Sequence, residues 1–126
     1  MIRTLVIPAL LLAACAPSGP APASEAIVLP DAEHVALAET LVPDDPALAA
    51  IYDRSCRTCH ALDGLGAPMT GHSEAWDVRR VARTDDGLLA SVKQGRGTMP
   101  ALGYCADCSD ADFAALIAFM STEGTE

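Results

Sequence analysis

Aromatic side chains are scarce in this sequence. One Trp, two Tyr and two Phe make up 4% of its 126 residues, although 51% are apolar. Much of that apolar fraction is Ala, which buries little surface per residue, so the core it builds is thin. A chain of this length has room for one small domain and not for two with sizeable cores. A small domain this poor in aromatics needs a disulfide, a metal or a cofactor to complete it. Basic residues are also few: 8 Lys and Arg stand against 17 Asp and Glu, for a net charge of −9. That excess of acid excludes nucleic acid as a natural partner. It fits simple solubility, or a protein partner with a basic docking patch whose field speeds encounter. No internal repeat is present. No segment shows the apolar–polar alternation of a half-buried strand, which leaves an all-α domain.

The longest apolar run lies at the N-terminus. Arg3 precedes Leu5, Val6, Ile7 and Ala9 to Leu12, a stretch too short to span a bilayer. It reads as an export signal. Its end, Leu12-Ala13-Ala14-Cys15, resembles a bacterial lipobox. Cleavage would then remove residues 1–14 and leave Cys15 to carry a diacylglycerol. The competing possibility is an ordinary secretory signal that happens to contain a Cys. The lipobox is preferred because a Pro- and Ala-rich spacer follows at once. Residues 15–43 are therefore expected to form a lipid-anchored tether, and residues 44–126 the folded domain. Residues 31–41 have some helical character, with Asp31 as a candidate N-cap.

Within the domain, Asp45-Pro46 is a helix start, an N-cap followed by Pro at the first position. Leu48, Ile51 and Tyr52 continue at helical spacing into Cys56. Residues 61–72, with Gly64, Gly66, Pro68 and Gly71, form a loop. Ser73 is a candidate cap for a helix holding Trp76 and Val81, and Thr84 for another holding Leu88, Leu89 and Val92. Gly95, Gly97 and Pro100 mark a second loop. Ser109, three residues before Asp112, caps the last helix, whose Phe113, Leu116, Ile117 and Met120 form one apolar stripe.

Export leaves four cysteines beyond Cys15, arranged as two C-x-x-C pairs in an oxidising compartment. The first pair continues into His60. Cys56-Arg57-Thr58-Cys59-His60 is the attachment pattern for haem c. Two residues between the cysteines place both sulfurs near adjacent haem edges as thioethers, and the His that follows lies under the iron. A dithiol redox centre would use the same C-x-x-C, but within a βαβ framework that is not found. The cysteines would also allow a Cys₄ zinc site built from both pairs, or a plain disulfide between Cys56 and Cys59.

A second axial ligand must come from the far face of the haem. Met69 lies nine residues after His60 and His72 twelve, too close in the chain to cross over easily. Met120 belongs to the apolar stripe of the last helix. Met99 sits in Gly95-Arg96-Gly97-Thr98-Met99-Pro100, a flexible loop well separated from His60. Met99 is the candidate ligand. A thioether sulfur opposite an imidazole raises the reduction potential and fills both axial positions, which favours electron transfer over chemistry at an open iron.

From Tyr52 to Met120 the chain resembles the class I monohaem cytochromes c, most closely those of the cytochrome c5 type. The shared pieces are Cys56 to His60, Gly66-Ala67-Pro68, Ala75-Trp76 with Arg79, Met99-Pro100, and Cys105-Ala106-Asp107-Cys108-Ser109-Asp110. The resemblance covers a little over half the chain, and the second cysteine pair after the Met loop is its most specific part. It implies a small class I cytochrome c fold, about four to five short helices around one covalent haem c. It also implies that the Pro68 carbonyl accepts the ring N–H of His60, and that Trp76 and Arg79 lie near the haem propionates. Against this, Trp76 could be plain core and Arg79 a solvated helix residue, with Arg80 in its place. Cys105 and Cys108 would form a disulfide giving local stiffness.

The anchor and tether fall outside the family pattern. So does Met69, where a polar residue is expected; it would pack on the haem or mark an apolar partner-facing patch. The expected function is single-electron transfer between redox protein partners at the periplasmic face of a bacterial membrane. It competes with a haem-based sensor of small ligands, a cytochrome subunit of a larger oxidoreductase and a zinc module.

Overall fold

The computed structural model describes residues 26–123. The expected export signal, Cys15 and residues 16–25 of the expected spacer lie outside them. Among the described residues the chain is helical, and the only β pairing is an isolated bridge between Arg96 and Met99. No described helix is long and apolar enough to cross a membrane.

Helix α1 spans Ala32–Thr40. The Asp31 carboxylate accepts the backbone N–H groups of Glu33 and His34, both at 3.0 Å, and so satisfies donors that a helix start leaves open. Ala38 is fully buried and packs with Val35 against Ala61 and Met69. Leu37 and Leu41 lie over Gly71, so closely that a Cβ there would come within 2.7 Å of Leu41 Cδ1. The guanidinium of Arg57 donates to the Glu39 carbonyl at 2.7 Å. Residues 32–40, which the sequence places in the spacer, are thus packed on the folded body. The contact centres on Ala38 and the backbone of Gly71, with Val35, Leu37 and Leu41 beside them, and periodicity shows it poorly.

Helix α2, Pro46–Ile51, starts at Asp45, whose carboxylate accepts from Ala47 N–H at 2.7 Å and Leu48 N–H at 3.1 Å. It continues into a π-helical turn, Tyr52–Cys56, and then helix α3, Arg57–His60. The extra residue of a π turn re-aims the side chains that follow it, here the Cys56–His60 motif. Tyr52 is fully buried, and its hydroxyl pairs with Thr70 Oγ1 at 2.9 Å. The loop after α3 is tied back at Thr70 N–H to the His60 carbonyl, 2.8 Å, and at Gly71 N–H to the Met120 carbonyl, 2.9 Å.

Helix α4 runs over Ser73–Gln94. Its cap position is His72, and Ser73 is the first helical residue. The two helices expected either side of Thr84 are both present, run together across a kink at Thr84, whose φ of 64° and ψ of 171° are not helical. The Thr84 hydroxyl meets the Gly87 N–H at 3.5 Å, a weak internal cap for the second arm. Arg80 braces the bend, donating to Asp85 at 2.7 Å, Asp77 at 2.9 Å and the Ser121 hydroxyl at 2.8 Å. Val81 is exposed and takes no part in the core.

After a 3₁₀ turn at Ala101–Tyr104, helix α5 covers Asp110–Ser121. Its capping box is complete: Asp112 N–H donates to Ser109 Oγ at 3.2 Å, and Ser109 N–H to the Asp112 carboxylate at 2.8 Å. Phe113, Leu116, Ile117 and Met120 are all buried. With Tyr52, Trp76 and Leu88, the last three form the main core.

Candidate functional site

One side of that core is hollow. A cavity of about 780 Å³ opens between α3, α4, α5 and the two loops. It falls within the roughly 300–1,000 Å³ typical of sites for small molecules and cofactors. Leu88, Leu116, Ile117 and Met120 belong to the core and line the cavity as well. An apolar occupant would therefore finish a core that the sequence leaves thin.

Cys56, Cys59 and His60 line the cavity from one side and Met99 from the loop after α4. Both thiols are free and partly buried. Burial, and secondly the neighbouring Cys59, push the Cys56 thiol up to about 11. A reactive dithiol needs the opposite, a depressed pKa that supplies thiolate. Cys105 and Cys108 do not line this cavity. They are joined to each other by a disulfide with Cα atoms 5.4 Å apart, which removes the sulfurs a Cys₄ zinc site would require.

His60 is almost fully buried, and its Nδ1 lies 2.7 Å from the Pro68 carbonyl. A carbonyl only accepts, so Nδ1 carries the proton and Nε2 keeps its lone pair for a metal. Burial lowers the His60 pKa, which favours the neutral, ligating ring. The Trp76 ring stacks at 5.5 Å from the His60 ring, and its indole N–H donates to the Met69 carbonyl at 2.8 Å. Paired thiols, an oriented neutral imidazole, a thioether and an apolar hollow are the donor set and shape that a covalent haem requires.

The remaining candidates separate cleanly. Arg79 lines the cavity and also holds the Ala75 carbonyl at 2.7 Å. Arg80 is turned to Asp77, Asp85 and Ser121 instead. Met69 is buried under α1 and lines neither the cavity nor the surface. Two arginines that sequence reasoning passed over, Arg83 and Arg96, line the same cavity. Arg83 is four residues after Arg79, and that helical spacing was the available signal.

His72 lies away from the cavity, buried, with its ring 3.9 Å from that of His34 on α1. Burial, and then the facing His34, lower its pKa, while Glu74 and Asp31 act in the opposite sense. Its folded value is therefore below the ordinary value of about 6.5, and the unfolded chain takes up the proton first as pH falls. The stability tied to neutral His72 is complete above about pH 6.5 and is lost as the pH falls through the folded value. The urea midpoint of the haem-loaded protein is expected to be lower at about pH 5 than at about pH 8, and less so in His72→Gln. Identical pH dependence in the two proteins would refute this.

Comparison with known proteins agrees with the geometry. The family described as cytochrome C oxidase, cbb3-type, subunit III matches residues 43–120. Cytochrome c5 of Azotobacter vinelandii is 46% identical over 72 residues, covering 56% of this chain and 87% of the relative. Cytochrome c-555 of Chlorobaculum tepidum is 38% identical over 80 residues, 61% of this chain and 74% of the relative. A chain in the crystal structure of an electron transfer complex of nitrite reductase with cytochrome c superposes with a TM-score of 0.51. It shares 36% identity and is covered over 93% of its length by 61% of this chain. The chain belongs to this family of haem proteins, the class I c-type cytochromes of the cytochrome c5 kind, and is a single-electron carrier with one covalent haem c.

Proposed function

We propose that Cys56 and Cys59 bind the haem as thioethers, that His60 and Met99 are its axial ligands, and that the carrier works on a lipid tether in the periplasm. The observation that supports the ligand set best is the His60 Nδ1 to Pro68 carbonyl bond at 2.7 Å, which leaves the other ring nitrogen available to a metal in the cavity that Met99 also lines. When bound, the haem supplies the one-electron Fe(II)/Fe(III) couple. The protein's part is to hold both ligands, exclude water and stabilise the propionates. Trp76 packs beside the imidazole, and Arg79, Arg83 and Arg96 bring positive charge to the cavity of an otherwise acidic chain. Charge-assisted hydrogen bonds from guanidinium groups suit carboxylates.

With both axial positions filled, the reduced protein is expected not to form a carbon monoxide complex within seconds of mixing. Rapid, complete binding by the native protein would favour a sensor instead. The family description names an oxidase subunit, which supports a second reading, a cytochrome subunit of a larger oxidoreductase. Purification from its native membrane with a stable partner would favour that reading. The nitrite reductase complex of the similar chain supports a protein partner in either case.

The anchor reading predicts that Cys15→Ser moves the protein from the membrane fraction to the soluble fraction. Retention on the membrane would sink it.

A further inference from the structure

The segment between Met99 and the disulfide is strained. Leu102, Gly103 and Tyr104 have φ values of 60°, 52° and 64°, three left-handed residues in a row, two of them not glycine. Such residues persist only where their surroundings hold them. The turn also lies beside the candidate ligand: a Cβ built on Gly103 would stand 3.8 Å from Met99 Cε. On the upstream side the Met loop is fixed by a reciprocal pair of backbone bonds between Arg96 and Met99, both 3.0 Å. Downstream it runs into Cys105, inside the Cys105–Cys108 ring.

Something must fix that ring to the body, and one side chain does so from the haem-motif helix. Arg54, in the π turn two residues before Cys56, donates to both oxygens of Asp107 at 3.1 Å each. The same guanidinium lies 3.4 Å from Cys105 Sγ. We infer that Arg54 is a positioning residue for Met99: its fork on Asp107 clamps the disulfide ring to the His60 side of the cavity and so holds the strained turn against the thioether. Arg suits the task because its planar fork meets a carboxylate at two points, which fixes orientation as well as distance. A Lys would offer a point charge only.

The clamp is exposed, with Arg54 at 47% and Asp107 at 74% side-chain accessibility. Exposed ion pairs contribute little to global stability. The expected effect is therefore local, on the hold over Met99, with the unfolding midpoint almost unchanged. It rests on Met99 being an axial ligand.

The test uses the haem-loaded ferric protein and added imidazole, which competes with the native sulfur for the iron. The starting protein must first show the far-red charge-transfer band of an iron–thioether bond; without it, Met99 ligation itself fails. Arg54→Gln and Asp107→Asn are each expected to bind imidazole about fivefold more tightly, with the band lost at correspondingly lower imidazole. Arg54→Lys is expected to fall between. The swapped pair Arg54→Asp with Asp107→Arg is expected to return within about twofold of the starting affinity, because the fork is rebuilt in reverse. Imidazole affinity unchanged in both single variants, with the band intact in the starting protein, would overturn the clamp. So would a swapped pair that binds as tightly as the single variants.

Discussion

Met99→Ala is expected to abolish the far-red band of the ferric protein and to lower its midpoint potential by on the order of 0.1 V. That is a fraction of the roughly 0.8 V that axial ligation spans. Losing a thioether removes the ligand that favours Fe(II), and carbon monoxide should then bind the reduced protein rapidly. The necessary contrast is Met120, the other methionine at the cavity. It stands on α5, 3% exposed, packed with Leu116 and Ile117. Met120→Leu conserves volume and should cost less than about 1.5 kcal/mol, with the band kept. Met69→Leu should keep it too, because Met69 is enclosed by Ala38 and Ala61 under α1. A band that survives Met99→Ala and disappears in Met120→Leu would reassign the ligand.

Trp76→Ala should lower unfolding free energy by about 3–5 kcal/mol, measured by urea denaturation of the haem-loaded protein. The side chain is 4% exposed, sits in the main core and stacks beside His60. Trp76→Phe keeps most of the packing but removes the donor to the Met69 carbonyl. The Met69 carbonyl keeps the His72 N–H at 3.2 Å, so the loss is one of two hydrogen bonds, at a cost of about 0.5–1.5 kcal/mol. If Trp76→Phe were as stable as the starting protein, the indole hydrogen bond would carry no weight in the fold.

Much of the candidate site was legible because several residues that line its cavity together are local in the chain. Cys56, Cys59 and His60 lie within five residues on one helical stretch, so their spacing alone announces them. Asp45-Pro46 and Ser109 with Asp112 mark helix starts through bonds that span three residues. What stayed hidden depends on distant packing. The docking of α1 rests on Gly71 lying under Leu37 and Leu41, a fit that no periodicity reports. The kink at Thr84 falls where a helix boundary was expected, but the way Arg80 spans it to Asp77, Asp85 and Ser121 at once could not be read from spacing. Met69 was expected to pack on the haem or face a partner, and α1 covers it instead.

The loop from Pro68 to Gly71 is bonded back to the body at every residue. Pro68 takes the His60 ring, Met69 the Trp76 indole, Thr70 the His60 carbonyl and the Tyr52 hydroxyl, and Gly71 the Met120 carbonyl. As the proposed iron ligand, an imidazole held this way has little freedom to shift when one electron arrives or leaves. The nuclear rearrangement that accompanies each exchange is then small, and a small reorganisation energy lets a carrier turn over quickly even when donor and acceptor differ little in potential. The network around Pro68 is thus a feature of speed as much as of stability.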